Sequence, residues 1–257
     1  MPFILVISLN NDEGQKRRDK LNFPFIHIQA SDGSDVPEWM TSKYKCMHNL
    51  NKNTKQNKLG CLYSHYKALR YIIDNKINDV IVCEDDVILK DKRSLENLKH
   101  YKSKLCPILL SGEISHPKCW KKNREWIKNN NVVLDDGLNP IDYQEFRFFG
   151  TESIYYQNYN QALDISDLML FTTKLSAYDM FLSKQQKINS LIYPSLFKTY
   201  NNLSQITNTN EKERDNYNHV NYKYSYANSD GITTKKENEK IDLEEKYYIL
   251  NKNIPLK

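Results

Sequence analysis

The chain has 257 residues, of which 39% are hydrophobic and 27% are charged. This is enough to bury one sizeable core or two small ones, so a peptide-like scaffold is excluded. Seven glycines and eight prolines exclude collagen-like and low-complexity chains, and 18 tyrosines are too many for a disordered one. The formal net charge is +5, with basic residues scattered among acidic ones, so we expect no nucleic-acid partner.

The cysteines favour a reducing compartment. There are five, with no C-x-x-C pair, which indicates free thiols and not a disulfide framework: Cys46, Cys61, Cys83, Cys106 and Cys119. The apolar residues 1–10 lack the basic start and cleavage site of a signal peptide. No segment reaches the ~20 apolar residues of a membrane span. We therefore expect a cytoplasmic protein, bacterial or host, without a transmembrane segment.

The first half of the chain alternates between strand and helix patterns. The predicted order is a strand at 3–9, a short helix carrying Arg17 and Arg18, a strand at 25–29, a helix at 59–74, a strand at 80–83, a helix at 94–105 and a strand at 108–110. Such alternation predicts an α/β fold with a mostly parallel central sheet flanked by helices. Ligands of such sheets lie beyond the carboxyl ends of the strands.

The second half has weaker patterns. We predict a strand at 167–173, a helix at 175–186 and a strand at 188–193. The aromatic residues of the middle segment suit either sugar stacking or ordinary core packing. From residue 207 the chain is rich in Asn, Lys, Glu and Asp. We expect one domain over residues 1–206, with 207–257 as a partly ordered tail packed on it.

Three consecutive carboxylates follow the strand at 80–83. In an extended chain Glu84 and Asp86 point to the same side and Asp85 points away. Their mutual repulsion is most readily offset by a divalent cation, and Mg²⁺ or Mn²⁺ held there stabilises a leaving diphosphate. The alternative is a solvated turn or a helix cap, which is the commoner origin of an isolated acidic triplet. The position of the triplet at a strand end favours the cation site.

Several motifs occur in the order found in one enzyme family. They are VISL at residues 6–9, at the end of the first predicted strand, Arg17-Arg18, Ala30-Ser31-Asp32-Gly33, Gly60-Cys61-Leu62-Tyr63-Ser64-His65 and IVCEDDVIL at residues 81–89. In this order they resemble glycosyltransferase family 25, which includes bacterial lipopolysaccharide glycosyltransferases and procollagen galactosyltransferases. The resemblance covers residues 3–112 and resumes more weakly at 167–182 and 193–204. Residues 113–166 are unmatched.

The resemblance implies a metal-dependent, inverting glycosyltransferase of GT-A type with a Rossmann-like sheet. It implies a nucleotide-sugar donor, UDP before GDP, an acceptor hydroxyl on a glycan or a hydroxylated side chain, and Mn²⁺ or Mg²⁺. The metal ligands would be Asp86 and Glu84. The donor would contact the residues that match the family's motifs: Ser8, Leu9, Arg18, Asp32, Gly33, Ser64, His65, Glu84 and Asp85.

The chain departs from the family at three places. Ser8 replaces a usual Asn, Asn57-Lys58 replaces an acidic approach to Gly60, and the later Val-Asp pair is not recognisable. The last departure leaves the general base open. An inverting transfer needs a carboxylate that accepts the proton of the acceptor hydroxyl. The unmatched middle offers Asp135, Asp136, Asp142, Glu145, Glu152 and Asp164.

Each motif also has a structural interpretation. His65 could be a core-edge histidine, the two arginines a solvated helix end, and Asp32-Gly33 a simple turn. At the level of the whole chain, one alternative is a non-catalytic GT-A-like protein that binds nucleotide or glycan in a glycan-assembly complex. Another is a sugar nucleotidyltransferase, although only Gly14 stands where that chemistry usually has a glycine-rich phosphate loop.

Overall fold

A computed structural model describes residues 1–45, 52–89, 95–96, 98–101, 106–110, 137–140, 150–188, 190–193 and 196–199. The strands are β1 (Phe3–Ser8), β2 (Ile26–Gln29), β3 (Val80–Glu84), β4 (Val87–Leu89), β5 (Ile108–Leu109), β6 (Gly137–Pro140), β7 (Ser153–Tyr156), β8 (Ser190–Tyr193) and β9 (Phe197–Thr199). The helices are α1 (Asp12–Arg18), α2 (Glu38–Lys43), α3 (Lys52–Asp74), α4 (Tyr159–Phe171), α5 (Tyr178–Lys184) and a short 3-10 helix (Leu98–His100).

One sheet of seven strands organises these elements, in the order β2-β1-β3-β7-β5-β8-β6. β1 lies between β2 and β3 and is parallel to both. β7 is antiparallel to β3 and β5, β5 is parallel to β8, and β6 is antiparallel to β8. The register of β1 and β3 pairs Ile7 with Glu84. The carboxyl ends of these two strands therefore meet at one edge of the sheet.

The alternation of side chains along the strands builds two cores. Leu5 and Val82 point to the face covered by α3, α4 and α5. Ile4 and Ile81 point to the opposite face, where they pack with the smaller β4-β9 sheet and with Phe197. Because β1 and β3 are buried on both faces, their sequences are continuous apolar runs, as expected for central strands.

The sheet corrects one prediction. We expected mostly parallel strands, but the sheet is mixed, with three parallel and three antiparallel pairings. Two of the antiparallel pairings come from β7, whose short sequence SIYY inserts between β3 and β5, and the third comes from β6 beside β8. Tyr155 and Tyr156 of this strand are buried, at 2% and 0% exposure, so core packing is the correct interpretation for these two aromatic residues.

A second prediction was wrong. Residues 167–173 were expected to form a strand, but most of them continue α4, in which Ile165, Ser166 and Met169 are buried at helical spacing. The predicted helix at 175–186 is shorter, as α5, and the helix at 59–74 begins earlier, as α3. The strands at 3–9, 25–29, 80–83 and 188–193 are confirmed with small changes of their ends.

The remaining expectations concern chain organisation. The tail at 207–257 lies outside the described residues, so the division into a domain and a tail stays a prediction. Three of the five cysteines lie in the described part of the chain, and these three are free thiols: Cys61, Cys83 and Cys106. Among the helices in that same part, none combines the length and the apolar character that crossing a bilayer requires.

Candidate functional site

The acidic triplet lies where it was predicted, at the carboxyl end of β3. Glu84 is the last residue of the strand, and Asp85-Asp86 forms the turn into β4. The Glu84 amide still donates to the Glu152 carbonyl, at 2.9 Å, so the strand geometry holds through Glu84. Glu84 therefore follows Val82 towards the face of α3, and Asp85 follows Cys83 towards the opposite face.

Asp85 belongs to a buried network that we call the paired side, formed by Ser8, Arg17, Arg18 and Asp85. The Ser8 hydroxyl donates to Asp85 Oδ2 at 2.6 Å, and Arg17 Nη1 lies 3.4 Å from Asp85 Oδ1. The side chains of Arg17 and Asp85 are only 5% and 10% exposed. Burial raises the pKa of Asp85 above its usual value, and the Ser8 hydroxyl and the Arg17 guanidinium offset only part of this effect. The two partners hold this carboxylate in place.

Arg18 completes the paired side. Its Nη1 donates to the Ser8 hydroxyl oxygen at 2.8 Å and to the Leu9 carbonyl at 2.7 Å, and its Nη2 donates to Gln15. The arginines are 4% and 9% exposed, so the interpretation as a solvated helix end is wrong. α1 is placed by Asn11, which caps it by accepting from the Gly14 amide. Arg18 thus fixes the end of β1 by contacts within the chain.

The residues of the motif at 60–65 make two kinds of contact, one with the loop after β2 and one with Glu84. Gly60 and Ser64, one turn apart on α3, hold the loop after β2. The Ser64 hydroxyl accepts from the Ser31 amide at 2.8 Å and donates to the Gly60 carbonyl at 2.7 Å. A Cβ on Gly60 would lie 2.6 Å from both the Gly33 nitrogen and the Ser31 oxygen. The loop therefore seats directly on the helix backbone.

The loop itself keeps Asp32 at the surface. Asp32 is exposed and accepts from the Ser34 amide and hydroxyl, which lowers its pKa. Gly33 has φ +95, in the left-handed region that favours glycine, and packs against Gln56. Asp32-Gly33 is therefore a turn that is anchored on α3, and its contact with a donor stays a prediction.

Cys61 and His65 make the second kind of contact, because both side chains face Glu84. Their ligand atoms and a Glu84 carboxylate oxygen all lie within 4.8 Å of one another. His65 Nε2 is 3.4 Å and Cys61 Sγ is 4.0 Å from Glu84 Oε1. The His65 ring stacks on Tyr178, with centroids 4.2 Å apart, and is 1% exposed. Its Nδ1 has no hydrogen-bond partner among the described residues.

Further carboxylates surround this cluster, and we call the assembly the acidic side: Glu84, Asp86, Glu152 and Asp179. All four raise the pKa of the Cys61 thiol, in addition to the larger effect of burial. Glu152 precedes β7, and its carboxylate packs so closely on Gly150 that a Cβ at this position would clash with it. Asp179 accepts from the Met180 amide at 2.7 Å and from the Gly150 amide at 3.4 Å.

Asp179 was not among the predicted site residues. Burial raises its pKa, the two amides and Lys58 lower it, and Glu84 raises it. In the sequence it lies within a predicted helix, which gives no sign of the sheet edge it faces. The only available signal was an acidic residue in the first turn of that helix, where such residues are common.

The predicted base candidates separate clearly. Glu152 lies on the acidic side, next to Glu84. Asp164 lies on α4 and forms an ion pair with Lys187. Both side chains are close to Cys106, just before β5, where the lysine lowers and the aspartate raises the pKa of the thiol. That is the amino end of a strand that runs in the same direction as β3, so Asp164 is at the edge of the sheet opposite to Glu84. The other candidates are outside the described residues: Asp135, Asp136, Asp142 and Glu145.

The acidic side is chemically suited to a divalent cation. Glu84, Asp86 and Glu152 bring carboxylate groups to this side, and carboxylate oxygens are the ligands that Mg²⁺ and Mn²⁺ prefer. The Glu84 side chain is 25% exposed, so this side is reached from solvent. Lys58 also lies close enough to lower the pKa of Asp179.

Comparison with known proteins identifies a family. The sequence model described as glycosyltransferase family 25 (LPS biosynthesis protein) matches residues 1–153. No curated protein matches the chain. The matched range contains the paired side and, of the acidic side, Glu84, Asp86 and Glu152, whereas Asp179 lies beyond it. It also includes residues 113–153, which had shown no resemblance by inspection of motifs.

Proposed function

The chain belongs to glycosyltransferase family 25, and from that membership we propose that it transfers a sugar from a nucleotide-sugar donor to a hydroxyl of a glycan or of a hydroxylated side chain. The match confirms the family named from the order of the motifs. A UDP-sugar is the proposed donor, and GT-A is the proposed fold type. The mixed sheet with three parallel strands at one side agrees with a nucleotide site at the edge where β1 and β3 end.

One observation carries the proposal: Glu84 and Asp86 lie together on the acidic side, while Asp85 is used by Ser8 and Arg17. In this proposal Glu84 and Asp86 are the carboxylates that hold Mn²⁺ or Mg²⁺. The bound cation would neutralise the charge that develops on the departing diphosphate. Arg18 acts in this proposal as a positioning residue, because its contacts to Ser8 and Leu9 fix the end of β1 beside the donor site.

The transfer needs a base on the acceptor side of the sugar, and we assign this role to Asp179. With inversion, the acceptor oxygen attacks the anomeric carbon, the diphosphate leaves with the bonding electron pair, and the carboxylate takes the hydroxyl proton. Asp179 is fixed by the amides of Met180 and Gly150. The Glu152 carboxylate is folded against Gly150 and is the second choice.

The decisive experiment measures release of UDP from UDP-sugars by the full chain, with Mn²⁺ and after EDTA. We expect turnover on at least one UDP-sugar that is lost on chelation and restored by Mn²⁺. Turnover that is insensitive to EDTA would contradict the metal. UDP binding that does not depend on metal, with no turnover on any donor, would instead support the non-catalytic binding protein.

A paired comparison tests the base. Asp179→Asn should lower kcat by about 100-fold or more while the KM for the donor stays within about twofold, since a general base contributes ~10²–10⁴-fold. Glu152→Gln is the matched carboxylate on the same edge and should cost clearly less. The reverse order would move the base role to Glu152.

A further inference from the structure

One cluster on the acidic side contains sulfur and nitrogen ligands as well as a carboxylate: Cys61, His65 and Glu84. Mg²⁺ and Mn²⁺ prefer oxygen ligands, so the thiol and the imidazole are not explained by such a cation. The three side chains offer one sulfur, one ring nitrogen and one carboxylate oxygen within 4.8 Å. We propose that this trio is a site for a thiophilic transition metal, Zn²⁺ in the first place, and that its occupation inhibits the transferase by taking Glu84 from the donor cation. The inhibition rests on the proposed function, whereas the binding does not.

The geometry is close to that of a tetrahedral centre. Zn²⁺ binds sulfur at about 2.3 Å and nitrogen or oxygen at about 2.0–2.2 Å, which separates ligand atoms by roughly 3.3–3.6 Å. His65 Nε2 and Glu84 Oε1 already lie 3.4 Å apart. Cys61 Sγ is 4.0 Å from the same oxygen. The sulfur lies within 4.8 Å of His65 Nε2, so a shift of the sulfur by roughly 1 Å would bring it to the third corner of a tetrahedron, with the fourth corner open to water.

The backbone of α3 places two of the three ligands on one side of the site, and one of them, His65, is fixed before a metal arrives. Cys61 and His65 are one turn apart on α3, so their side chains share one face of the helix. His65 is buried and stacked on Tyr178, which fixes its ring plane. Cys61 and Glu84 are partly exposed, which gives an ion access from solvent. The imidazole therefore loses little freedom on binding, while the Cys61 side chain and the Glu84 carboxylate turn towards the ion.

The chemistry of the donors selects the metal. Thiolate and imidazole favour Zn²⁺ over Mg²⁺ or Mn²⁺, which prefer oxygen. The surrounding carboxylates add negative potential at the same place, because Asp86, Glu152 and Asp179 all act on the Cys61 sulfur. On binding, the sulfur–hydrogen bond breaks, a sulfur–metal bond forms and the proton goes to solvent. The ring proton of His65 then resides on Nδ1.

Cobalt reports directly on the sulfur ligand. The reduced full chain is titrated with Co²⁺ without any sugar nucleotide. We expect a thiolate-to-cobalt charge-transfer band in the near ultraviolet that saturates at one equivalent and disappears when Zn²⁺ is added. Cys61→Ser should abolish the band, and His65→Ala should weaken Zn²⁺ binding by more than the roughly 10- to 100-fold that loss of an outer-shell partner costs.

Cys106→Ser is the matched control, because this thiol is also partly exposed but lies before β5. It should keep the band. Absence of a sulfur band, or a band that survives in Cys61→Ser, would overturn the proposal.

The two proposals fail separately. Zn²⁺ should inhibit Mn²⁺-supported turnover of the parent, and Cys61→Ser should be less sensitive relative to its own zinc-free rate. Manganese-dependent turnover without a cobalt–sulfur band would remove the zinc site and leave the transferase. A band without turnover on any donor would leave the metal site and remove the transferase.

Discussion

The two sides of the acidic triplet have opposite electrostatic designs. On the paired side one carboxylate, Asp85, meets two buried arginines through direct contact and through Ser8. On the acidic side four carboxylates surround a thiol and a histidine, and Lys58 is the cation that acts there on Asp179. The paired side therefore holds Asp85 with groups of its own chain, whereas the acidic side gathers the carboxylates that we propose as ligands of a bound cation.

This difference arises from the alternation of one strand. Consecutive residues of β3 and its exit point to opposite faces, so three adjacent carboxylates reach two environments. A buried ion pair stabilises little in total, but the loss of one partner is costly because the other charge stays buried. Residues of the acidic side are therefore expected to control turnover, and residues of the paired side to control the free energy of unfolding.

The largest expected effect belongs to Asp86. Asp86→Asn should lower turnover by ~100-fold or more, since a bound cation supplies several kcal/mol of leaving-group stabilisation. The free energy of unfolding should hold or rise slightly, because repulsion on the acidic side decreases. Rates at limiting Mn²⁺ and urea denaturation measure the two effects. Asp74→Asn, an exposed aspartate at the end of α3, is the charge-matched control. Equal turnover of Asp86→Asn and the parent would contradict the comparison.

Asp85 should show the opposite profile. Asp85→Ala leaves Arg17 buried without this carboxylate, and breaking such a pair costs about 3 kcal/mol of unfolding free energy. Removing both partners, in Asp85→Ala with Arg17→Met, should cost less than the sum of the single changes. Urea denaturation of the four proteins gives the coupling. Simple additivity would show that the paired side contributes no mutual stabilisation.

The sequence predicted well where the acidic triplet lies and how its side chains alternate between the two faces of the sheet. The strands β1 and β3 are continuous apolar runs, and the triplet follows the second of them directly. Local pattern was sufficient here because side-chain direction in a strand depends only on position. The motif at residues 60–65 was assigned to the site from resemblance, and its helical spacing explains why Gly60 and Ser64 meet one partner and Cys61 and His65 another.

The rest depended on long-range packing. β7 is short, and nothing local in SIYY indicates insertion between β3 and β5, so the sheet was expected to be mostly parallel. The apolar run near Met169 is compatible with a strand or with a buried helix. In the structure its buried residues recur at helical spacing, so it is a helix. Asp179 reaches Glu84 only because α5 packs on α3, a contact that its own segment does not encode.

Gly60 tests how closely the loop and the helix must approach. In an ordinary helix interior Gly→Ala stabilises by about 1 kcal/mol. Here the new Cβ meets backbone atoms of Gly33 and Ser31 at 2.6 Å, so Gly60→Ala should destabilise by about 1–3 kcal/mol and raise the KM for the donor. Lys55→Ala, at an exposed position of α3, should change stability by less than about 0.5 kcal/mol. A more stable Gly60→Ala would show that the loop adapts.

The smallest effect is expected at Asp164, which lies on neither side of the triplet. Its carboxylate is 53% exposed and pairs with Lys187, and exposed pairs of this kind contribute about 0–1 kcal/mol. Asp164→Asn should therefore change the unfolding free energy by less than about 1 kcal/mol, and 0.5 M salt should reduce the difference further because it screens the pair. Turnover at saturating donor should stay within about twofold, whereas removal of a general base would cost ~10²–10⁴-fold. Steady-state rates of the variant and the parent, with Mn²⁺ present, distinguish these outcomes. A loss of 100-fold would place the acceptor at the amino end of β5 and would break the division of the molecule into a paired side and an acidic side.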